Sequence, residues 1–588
     1  MYFKFLVPVP TGTKTVRQTK NGVTYIDYEY ERTYDKDTKY TRPRRSTIGK
    51  QSPDDPSLMW PNQNFLKYFP DVELPEKLER DRRSSCLKVG SFIVIRKLIQ
   101  QAGIKEAMEP WFKEPDLGLT LDLAAYSIVS ENNAGQYYPD YAYCHPLFTK
   151  DMALYSDSSV SDYFHRVTAD QRQGFLNEWN RTRDHREKIY ISYDSTNKRC
   201  QAGDVDFAEY GYAKDDDSKP IINYSVAYDT RNREPLFYEE YPGSINDMTQ
   251  LQLMVEKAAG YGYRHIGFIL DRGYFDRKNF LYMDSCGYGF VIMLKGMKPL
   301  VRELILEAKG TFERKRICYI PEESVAGTTI RRKMFESDDR ERYFHLYYSV
   351  SRENRERAEL EENLRKMKEN MKKQENRECV FTGDYENYFY LYYDRITEKI
   401  IGEDGKEREI PKRTVFQFAT EKASVIEAEI QLQGYFVIVT SDEMTAAQAL
   451  RLYHSRDMSE KLFRADKSFL DNHCYRVYSN EAVAAKVFVA FIALIIRDKI
   501  YTLLKDEMKR LGTKPNFMTV PAALRELEKI EMVRLTDNLY RQDHAVTKTQ
   551  KMILNAFGMD EVYIRHQADQ LQKELYRIMG SGSEKKGS

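Results

Sequence analysis

The chain has 588 residues, enough for several domains, and its 41% hydrophobic and 31% charged residues are typical of a globular protein with a large charged surface. Lys and Arg number 91 against 90 Asp and Glu, so any nucleic-acid contact must come from local patches and not from the overall charge. The seven cysteines form no C-x-x-C pair, which argues against a zinc ribbon or a disulfide framework and favours a reducing cytoplasm. The longest apolar run, residues 487–496, is too short to cross a membrane, so we expect a buried helix there and no membrane partner.

Residues 1–85 have a β-rich and basic pattern. Residues 15–19 and 23–28 alternate on either side of Lys20-Asn21-Gly22, and Asn-Gly is the strongest short signal for a hairpin. The first fifty residues contain eleven Lys and Arg against five Asp and Glu. Within them Arg42, Arg44, Arg45 and Lys50 form a basic cluster that could contact nucleic acid or could equally be a solvated loop.

The next two regions differ in pattern. Residues 86–187 have helical spacing, whereas residues 188–296 begin with three consecutive strands at 189–193, 221–228 and 235–241. A helix, a strand that ends at Asp271, a second helix and a further strand follow. Three meandering strands and then α/β alternation is the order of an RNase H-like fold. We therefore expect an α/β protein with a mixed sheet flanked by helices.

The alternation stops at residue 297. Residues 297–433 include a highly charged helix at 351–378, a strand at 385–393 and a hairpin signal at Asp404-Gly405, so we predict an inserted, mostly β domain. The second part of the core, residues 434–500, resumes with a strand at 435–440, a helix cap at Ser441 or Asp442 and a helix from about Thr445. Residues 501–588 are predicted to be helical, including 524–535, with a disordered tail from 580.

Asp194 and Asp271 each follow a short apolar run that reads as a strand. The ends of neighbouring strands meet on a rigid platform, and hard divalent cations such as Mg²⁺ prefer carboxylate oxygens. The two residues are therefore candidate metal ligands for phosphodiester chemistry, which uses two ions about 4 Å apart. Taken singly, an aspartate after a strand is also an ordinary turn former.

Tyr453, Arg456, Glu460 and Lys467 share one face of the helix predicted after Thr445, because successive residues turn by about 100°. An acidic residue is flanked there by two cations and a phenol, which suit a third metal ligand with phosphate contacts. The alternative is an amphipathic surface helix with an Arg456–Glu460 ion pair at i, i+4.

The spacing Tyr453-x-x-Arg456-x-x-x-Glu460-x-x-x-x-x-x-Lys467 resembles the YREK signature of bacterial insertion-sequence transposases of the DDE type. The residues around Asp194 (Tyr-Asp-Ser-Thr) and Asp271 (Leu-Asp-Arg-Gly-Tyr-Phe) resemble the first and second aspartate motifs of that family. The order of the motifs also matches, and the family has a large insertion between the second aspartate and the glutamate.

The resemblance implies a cut-and-paste transposase that binds terminal inverted repeats, cleaves the ends and joins 3′-hydroxyl ends to target DNA. It implies that Asp194, Asp271 and Glu460 hold two Mg²⁺ or Mn²⁺ ions, and that Tyr453, Arg456 and Lys467 hold DNA phosphates. Arg272, beside the second aspartate, could add a phosphate contact or form a structural ion pair.

The N-terminal basic residues would then bind double-stranded transposon ends, and a homodimer would bring two active sites together. A bacterial cytoplasmic, nucleoid-associated enzyme is expected. Two alternatives remain at this stage: a structure-specific nuclease without strand transfer, and a non-catalytic DNA-binding descendant of a transposase.

Overall fold

The computed structural model describes residues 2, 6–20, 22–35, 39–53, 55–70, 72, 83–183, 188–200, 205–206, 208–211, 219–245, 247–270, 277–294, 298–401, 407–470, 474–475, 477–535 and 539–584. They fall into two compact units, Met1–Ser84 and Ser85–Ser588. None of the helices in these ranges combines the length and the apolar character that a membrane crossing requires.

The described residues of the first unit form a five-stranded sheet and one short helix. Its elements in chain order are β1 (Val7–Pro8), β2 (Thr15–Lys20), β3 (Val23–Asp35), β4 (Tyr40–Gln51), β5 (Leu58–Pro61) and α1 (Gln63–Tyr68). The sheet order is β1-β5-β4-β3-β2, and Ile26, Ile48 and Phe65 are buried in a small apolar core. The predicted hairpin is confirmed: β2 and β3 pair antiparallel, and Gly22 has a φ of 76° that favours glycine.

The second unit begins with a short strand and a group of helices, as the sequence indicates. They are β6 (Cys86–Lys88), α2 (Gly90–Ala102), α3 (Ile104–Met108), α4 (Asp116–Ser130), α5 (Tyr138–Cys144), α6 (Asp157–Arg166) and α7 (Ala169–Arg181). Capping explains some of the helix starts. At α7 the Thr168 hydroxyl accepts from the backbone N–H of Gln171, whose side chain accepts from the N–H of Thr168.

The main sheet starts with the three consecutive strands predicted from the sequence. The elements are β7 (Ile189–Cys200), β8 (Ile221–Asp229), β9 (Glu234–Pro242), α8 (Asp247–Gly260), β10 (Ile266–Leu270), α9 (Arg277–Ser285) and β11 (Gly289–Met293). The strand order in this part is β9-β8-β7-β10-β11. β7 is antiparallel to β8 and parallel to β10, so the observed class is a mixed α/β fold.

The region predicted as an insertion contributes to two sheets. It contains α10 (Lys298–Ala308), β12 (Tyr319–Ile320), β13 (Val325–Lys333), β14 (Glu341–Tyr348), α11 (Val350–Lys373), β15 (Arg377–Glu378), α12 (Asp384–Tyr388), β16 (Phe389–Ile401), β17 (Glu407–Glu421) and α13 (Ala423–Ile430). The next strand is β18 (Tyr435–Thr440). β18 pairs with both β11 and β14, so β12, β13 and β14 extend the main sheet. β15, β16 and β17 form a separate sheet.

Two predicted boundaries in this region are wrong. The charged helix ends at Lys373, because residues 377–378 pair with β17. The strand predicted from residue 385 starts at Phe389, because residues 384–388 form α12. Asp404-Gly405 lies outside the described residues. The narrow apolar stripe of α11, with Leu360, Leu364 and Met371, packs in the core of the smaller sheet.

The remaining elements are mostly helical. They are α14 (Ala446–His454), α15 (Asp457–Phe469), β19 (Cys474–Tyr475), α16 (Asn480–Leu511), α17 (Val520–Leu527), β20 (Glu531–Arg534), β21 (Tyr540–Gln542), α18 (Lys548–Ala556) and α19 (Glu561–Glu584). The predicted buried helix is confirmed, since residues 482–496 of α16 are all buried and pack inside the chain.

Two predictions near the C-terminus do not hold as made. A helix over 524–535 is wrong: α17 ends at Leu527, and β20 pairs with both β6 and β21. A strand partner so distant in sequence is not visible in local periodicity. In addition, α19 continues to Glu584, into the segment expected to be disordered.

Candidate active site

Asp194 lies inside a strand, not at its end as predicted. β7 continues six residues further to Cys200, and residue 194 is paired opposite Val226 of β8. The polar residues after Asp194 stay in the strand because they find partners. Asn197 donates from Nδ2 to Asn223 Oδ1 at 2.6 Å, and Lys198 forms an ion pair described below. The side chain of Asp194 lies outside the described part of the molecule.

β10 places the residue before the second candidate aspartate beside the residue before the first. Leu270, the last residue of β10, is paired in parallel with Tyr193 of β7. Each of these two residues is followed in the sequence by an aspartate, Asp194 or Asp271. Asp271 and Arg272 themselves lie outside the described residues.

The helix predicted to carry the other motif is two consecutive helices, α14 and α15. Thr445 caps α14 in a capping box with Gln448. Ser441 and Asp442, the predicted caps, have other contacts. The Ser441 hydroxyl accepts from the N–H of Phe290 at 2.8 Å, and Asp442 accepts from Lys188 Nζ at 2.6 Å. Ser455 and Arg456 connect the helices with helical backbone angles.

Tyr453 is buried in an apolar cluster on one side of the main sheet. Its neighbours there include Leu450 of α14, Ile269 of β10 and the half-buried Tyr190 of β7. The Arg456 guanidinium lies over the Tyr453 ring, 5.5 Å from its centroid, within the range of a cation–π contact. The Tyr453 ring thus packs α14 against the sheet and contacts the Arg456 guanidinium.

Glu460 lies in the first turn of α15 and pairs with Arg456. The ion pair at i, i+4 considered in the sequence is therefore present. The two side chains differ in exposure: 52% of Glu460 is exposed, against 16% of Arg456. The Glu460 carboxylate is thus open to solvent near the positive end of a helix dipole. Its cationic partner is largely covered.

Lys467 lies in the last turn of α15 and is half-buried. The residue before it, Asp466, is fully buried and pairs at 2.6 Å with Lys198 of β7, which is fully buried as well. Lys198 Nζ also lies 4.0 Å from the ring centroid of Tyr224. Burial, followed by the charge of Asp466, raises the pKa of the Tyr224 hydroxyl well above its usual range.

The sequence did not single out Lys198 or Asp466, although a signal is present. Asp466 comes at i+4 from Leu462 and at i+3 from Phe463, which are both buried, so it occupies the apolar stripe of α15. A charged residue in such a stripe indicates a buried partner, since an isolated buried charge is strongly unfavourable.

The two helices contact β7 on both sides of residue 194. Tyr190 packs with the cluster that contains Tyr453, and Lys198 pairs with Asp466. Backbone positions 190, 194 and 198 share one face of a regular strand because the strand period is two residues. Glu460 lies between Tyr453 and Asp466 in the sequence. The segments that carry Asp194 and Glu460 therefore run side by side between two fixed contacts.

No metal group is found in the parts of the chain that the structure describes: no three His, Cys, Asp or Glu side chains there are arranged to hold an ion. Those parts include Glu460 but neither the Asp194 side chain nor Asp271.

The basic residues predicted to bind DNA ends all lie on β4 of the first unit. Arg44 is 3.4 Å from Glu31, and Arg45 is 3.7 Å from Glu29. Arg42 is exposed. Lys50 lies at the other end of β4, 5.6 Å from the ring of Trp60. The four residues therefore do not form one cluster.

A family model described as "Transposase DDE domain" matches residues 185–496, which is more than half of the 588 residues. The chain belongs to the transposase DDE domain family. A DDE transposase is a DNA-cleaving enzyme, and the family generally uses divalent metal ions. The match to the DDE domain begins just before β7, ends in α16 and includes Asp194, Asp271 and Glu460.

Among solved structures, the cryo-EM structure of the piggyBac transposase synaptic complex with hairpin DNA is similar to this DDE protein over 83% of this chain and 85% of that chain. The sequence identity is 8% and the TM-score is 0.33. No curated protein matches the sequence significantly.

Proposed function

We propose that this DDE transposase is the cut-and-paste enzyme of a bacterial insertion sequence, with an RNase H-like catalytic core. It would bind the terminal inverted repeats as double-stranded DNA, cleave both ends, and join the 3′-hydroxyl ends to target DNA. A homodimer would hold the two ends together in the bacterial cytoplasm, on the nucleoid. The order of three antiparallel strands followed by two parallel ones supports the RNase H-like core.

The observation that carries the proposal is the parallel register of β7 and β10. Tyr193 and Leu270 are paired, and each is followed directly by an aspartate. Neighbouring strands are about 4.8 Å apart, and two cooperating metal ions are about 4 Å apart. The register thus supports a carboxylate pair formed by Asp194 and Asp271.

Glu460 would be the third carboxylate of this site. α14 is held by Tyr453, which shares its apolar cluster with Tyr190, and α15 is held by the Lys198–Asp466 ion pair. These contacts are spaced on both sides of residue 194, so they support a position of Glu460 alongside it. An exposed carboxylate that already has a cationic partner suits a metal ligand, because its charge is accessible and oriented.

Asp194, Asp271 and Glu460 would together hold two Mg²⁺ or Mn²⁺ ions. When bound, such ions activate the attacking oxygen and stabilise the leaving oxygen of a phosphodiester. The protein's own cations would orient the DNA. Arg456 pairs with Glu460, and the fork of N–H donors on a guanidinium also matches the oxygens of a phosphate. Tyr453, Lys467 and Arg272 would add contacts to the terminal phosphates, and Arg42, Arg44, Arg45 and Lys50 would contact the DNA ends.

The test is Glu460→Gln, assayed on a plasmid that carries the element's own ends. Loss of several kcal/mol of charge stabilisation predicts end cleavage at least about 100-fold slower, with DNA binding within about threefold because the amide keeps the shape of the side chain. Asp457→Asn is the matched control, since Asp457 is exposed in the same first turn of α15. It should cleave like the wild type.

Each further outcome discriminates among functions. Cleavage by Glu460→Gln at the wild-type rate would refute the site assignment. Cleavage by the wild type without joining of a 3′-hydroxyl end to a second plasmid would indicate a nuclease. Metal-dependent nicking by the wild type that is absent in Asp194→Ala would exclude the non-catalytic alternative.

A further inference from the structure

The outer half of the β3–β4 hairpin is exposed on both faces. Residues 31–34 of β3 and residues 40–45 of β4 are all exposed, and Tyr34 and Tyr40 are 58% and 75% exposed. The inner half is different, because Ile26 of β3 and Ile48 of β4 are fully buried in the core of the unit. We call residues 30–35 and 40–45 the exposed ribbon; residues 36–38 lie outside the described part of the chain.

Apart from Tyr30, whose ring stacks on Tyr68 of α1, packing does not explain the exposed ribbon. A two-stranded hairpin with neither face covered is at best marginally stable in water, yet β3 and β4 remain paired to the end, with Asp35 opposite Tyr40. Each strand of the ribbon has six residues, which corresponds to a length of about 20 Å. An arm of this length adds nothing to the hydrophobic core, so its side chains indicate a role in binding a ligand.

The side chains of the exposed ribbon are basic and aromatic on both faces. Cross-strand pairing places Glu31 opposite Arg44 and Thr33 opposite Arg42, and Tyr40 shares the parity of these two arginines in β4. The other face carries Arg32, opposite Pro43, and Tyr34, opposite Thr41, with Arg45 at the same parity as Pro43. With Tyr30 left out, because the β-bulge between Glu29 and Glu31 falls there, each face offers two arginines and one tyrosine.

The ion pairs within the exposed ribbon are easily replaced. Arg44 and Glu31 are 3.4 Å apart with 61% and 52% of their side chains exposed, and Arg45 and Glu29 are 3.7 Å apart. The Arg44–Glu31 pair is exposed, and such pairs contribute little to stability and are screened by salt. Glu29 is buried but pairs with Arg32 as well as Arg45, so it keeps one cationic partner when Arg45 exchanges it for another anion. A phosphate offers arginine a stronger, bidentate partner, so these arginines are available to a polyanion.

The composition disfavours a protein strand as the partner. Both strands of the ribbon are edges, and edges that pair with other chains are flat and apolar. Here Pro43 lacks the N–H that a new strand needs, and Arg42, Arg44 and Arg45 place repeated charge along the edge. Charge complementarity therefore favours nucleic acid.

We propose that the exposed ribbon inserts into the major groove of duplex DNA. This proposal rests on the proposed function, because it specifies how the protein would contact double-stranded ends. The major groove is about 12 Å wide and 8.5 Å deep and admits a two-stranded β-ribbon. The ribbon's length of about 20 Å exceeds that depth. Its arginines can contact phosphates on the groove walls or guanine edges on the floor. Lys50 is outside this contact, because it packs against Trp60 at the other end of β4.

The first test is duplex binding by the full-length triple variant Arg42→Ala/Arg44→Ala/Arg45→Ala, with a 30-base-pair probe of mixed sequence and fluorescence anisotropy at several salt concentrations. Each lost phosphate contact lowers the slope of log Kd against log salt by about 0.9, so we expect a slope reduced by about 2 to 3 and at least about tenfold weaker binding at 0.1 M salt. Circular dichroism and the unfolding midpoint should not change, since the three side chains lie outside the core.

The control removes the same charge from the same sheet. Lys14, Arg17 and Lys20 are exposed on or beside β2, and their triple alanine variant should lower the slope by less than half of the reduction expected for the ribbon variant. If the two variants bind the duplex with the same Kd and the same slope, the ribbon has no special role and the proposal is overturned.

The second test identifies the groove. A duplex with glucosylated 5-hydroxymethylcytosine has sugars that fill the major groove, where the pyrimidine C5 position lies. It should weaken wild-type binding to the level of the ribbon variant and leave the ribbon variant unchanged. Equal wild-type affinity for the plain and the glucosylated duplex would overturn insertion into the major groove. These assays do not involve cleavage, so failure here and failure of the Glu460→Gln test are separate results.

Discussion

The two ends of α15 carry the same kinds of charge in opposite surroundings. Asp466, near the C-terminal end, is fully buried with Lys198 of the central strand β7. Glu460, in the first turn, is 52% exposed and pairs with Arg456. A buried ion pair must stay intact because either partner alone would be an uncompensated buried charge. A carboxylate that is exposed, as Glu460 is, can exchange partners at less cost than a fully buried one. The helix therefore has one end that fixes its position and one end that is free to bind.

The buried end belongs to a wider group of polar residues inside the second unit. Glu240 of β9 is half-buried, and desolvation of its carboxyl raises the pKa to about 7. Asp498 of α16 has a pKa also raised to about 7, again mainly by burial. Such groups favour folding only in particular charge states. The charge states of these interior groups thus affect the stability of the fold, whereas the exposed Glu460 is not part of this interior group.

The largest expected effect comes from breaking the buried pair. Lys198→Met removes the buried cation that pairs with Asp466, and loss of one partner of a buried pair destabilises a protein by about 3–5 kcal/mol. Urea unfolding should show this loss. Lys198→Met/Asp466→Leu replaces both charges with apolar groups and should recover most of the free energy of unfolding. The expected loss for Lys198→Met is at least about 3 kcal/mol. If its free energy of unfolding lies within about 1 kcal/mol of the wild-type value, Lys198 does not hold α15 on the sheet.

The next effect is the pH dependence caused by Asp498. The Tyr228 hydroxyl donates to its Oδ2 at 3.1 Å, and Lys499, Arg233 and Arg497 partly offset the effect of burial. Because the folded pKa is about 7 and the unfolded value is close to 4, the folded state binds the extra proton between these values. The stabilisation is therefore complete below about pH 4 and is lost as the pH rises to about 7.

Asp498→Asn is the variant that tests this dependence, since the amide is neutral and still accepts from Tyr228. Between pH 5 and pH 7 the free energy of unfolding of the wild type should fall by up to about 3 kcal/mol because of Asp498, and this fall should be absent in Asp498→Asn. Asp506 of the same helix is a control with the opposite sign. Arg233 lowers its pKa, so Asp506→Asn should remove stability that the wild type has above about pH 4. If the free energies of unfolding of the wild type and Asp498→Asn change in parallel with pH, Asp498 is not the source of the pH dependence.

Local patterns predicted the elements whose partners are near in sequence. The strand Tyr435–Thr440, the hairpin around Gly22 and the three strands from Ile189 to Pro242 follow from apolar and alternating residues and from turn residues. The end of β7 did not follow, because residues 194–200 are polar and their partners, Asn223 and Asp466, are distant in sequence. β20 was missed for the same reason, since it pairs with β6.

The candidate site was predictable as a motif but not as a geometry. The spacing from Tyr453 to Lys467 placed Glu460 and Arg456 one turn apart, and the ion pair is present. The burial of Tyr453 and the anchoring role of Asp466 depend on which strand lies beneath the helix. Helical periodicity defines a face but does not say what covers it.

The smallest expected effect is the coupling free energy between Arg456 and Glu460. It measures how strongly the exposed end of α15 contributes to the stability of the fold. A double-mutant cycle with Arg456→Gln and Glu460→Gln, measured by urea unfolding, should give a coupling of about 0.2–1 kcal/mol. A coupling above about 2 kcal/mol would be outside the range for exposed pairs and would mean that Glu460 is committed to the fold. A small coupling leaves the carboxylate available, because the protein then gives up little stability when Glu460 exchanges Arg456 for another cation. The same substitution that barely affects unfolding should then abolish cleavage, and a stability effect as large as that of Lys198→Met would remove this distinction between the two ends of α15.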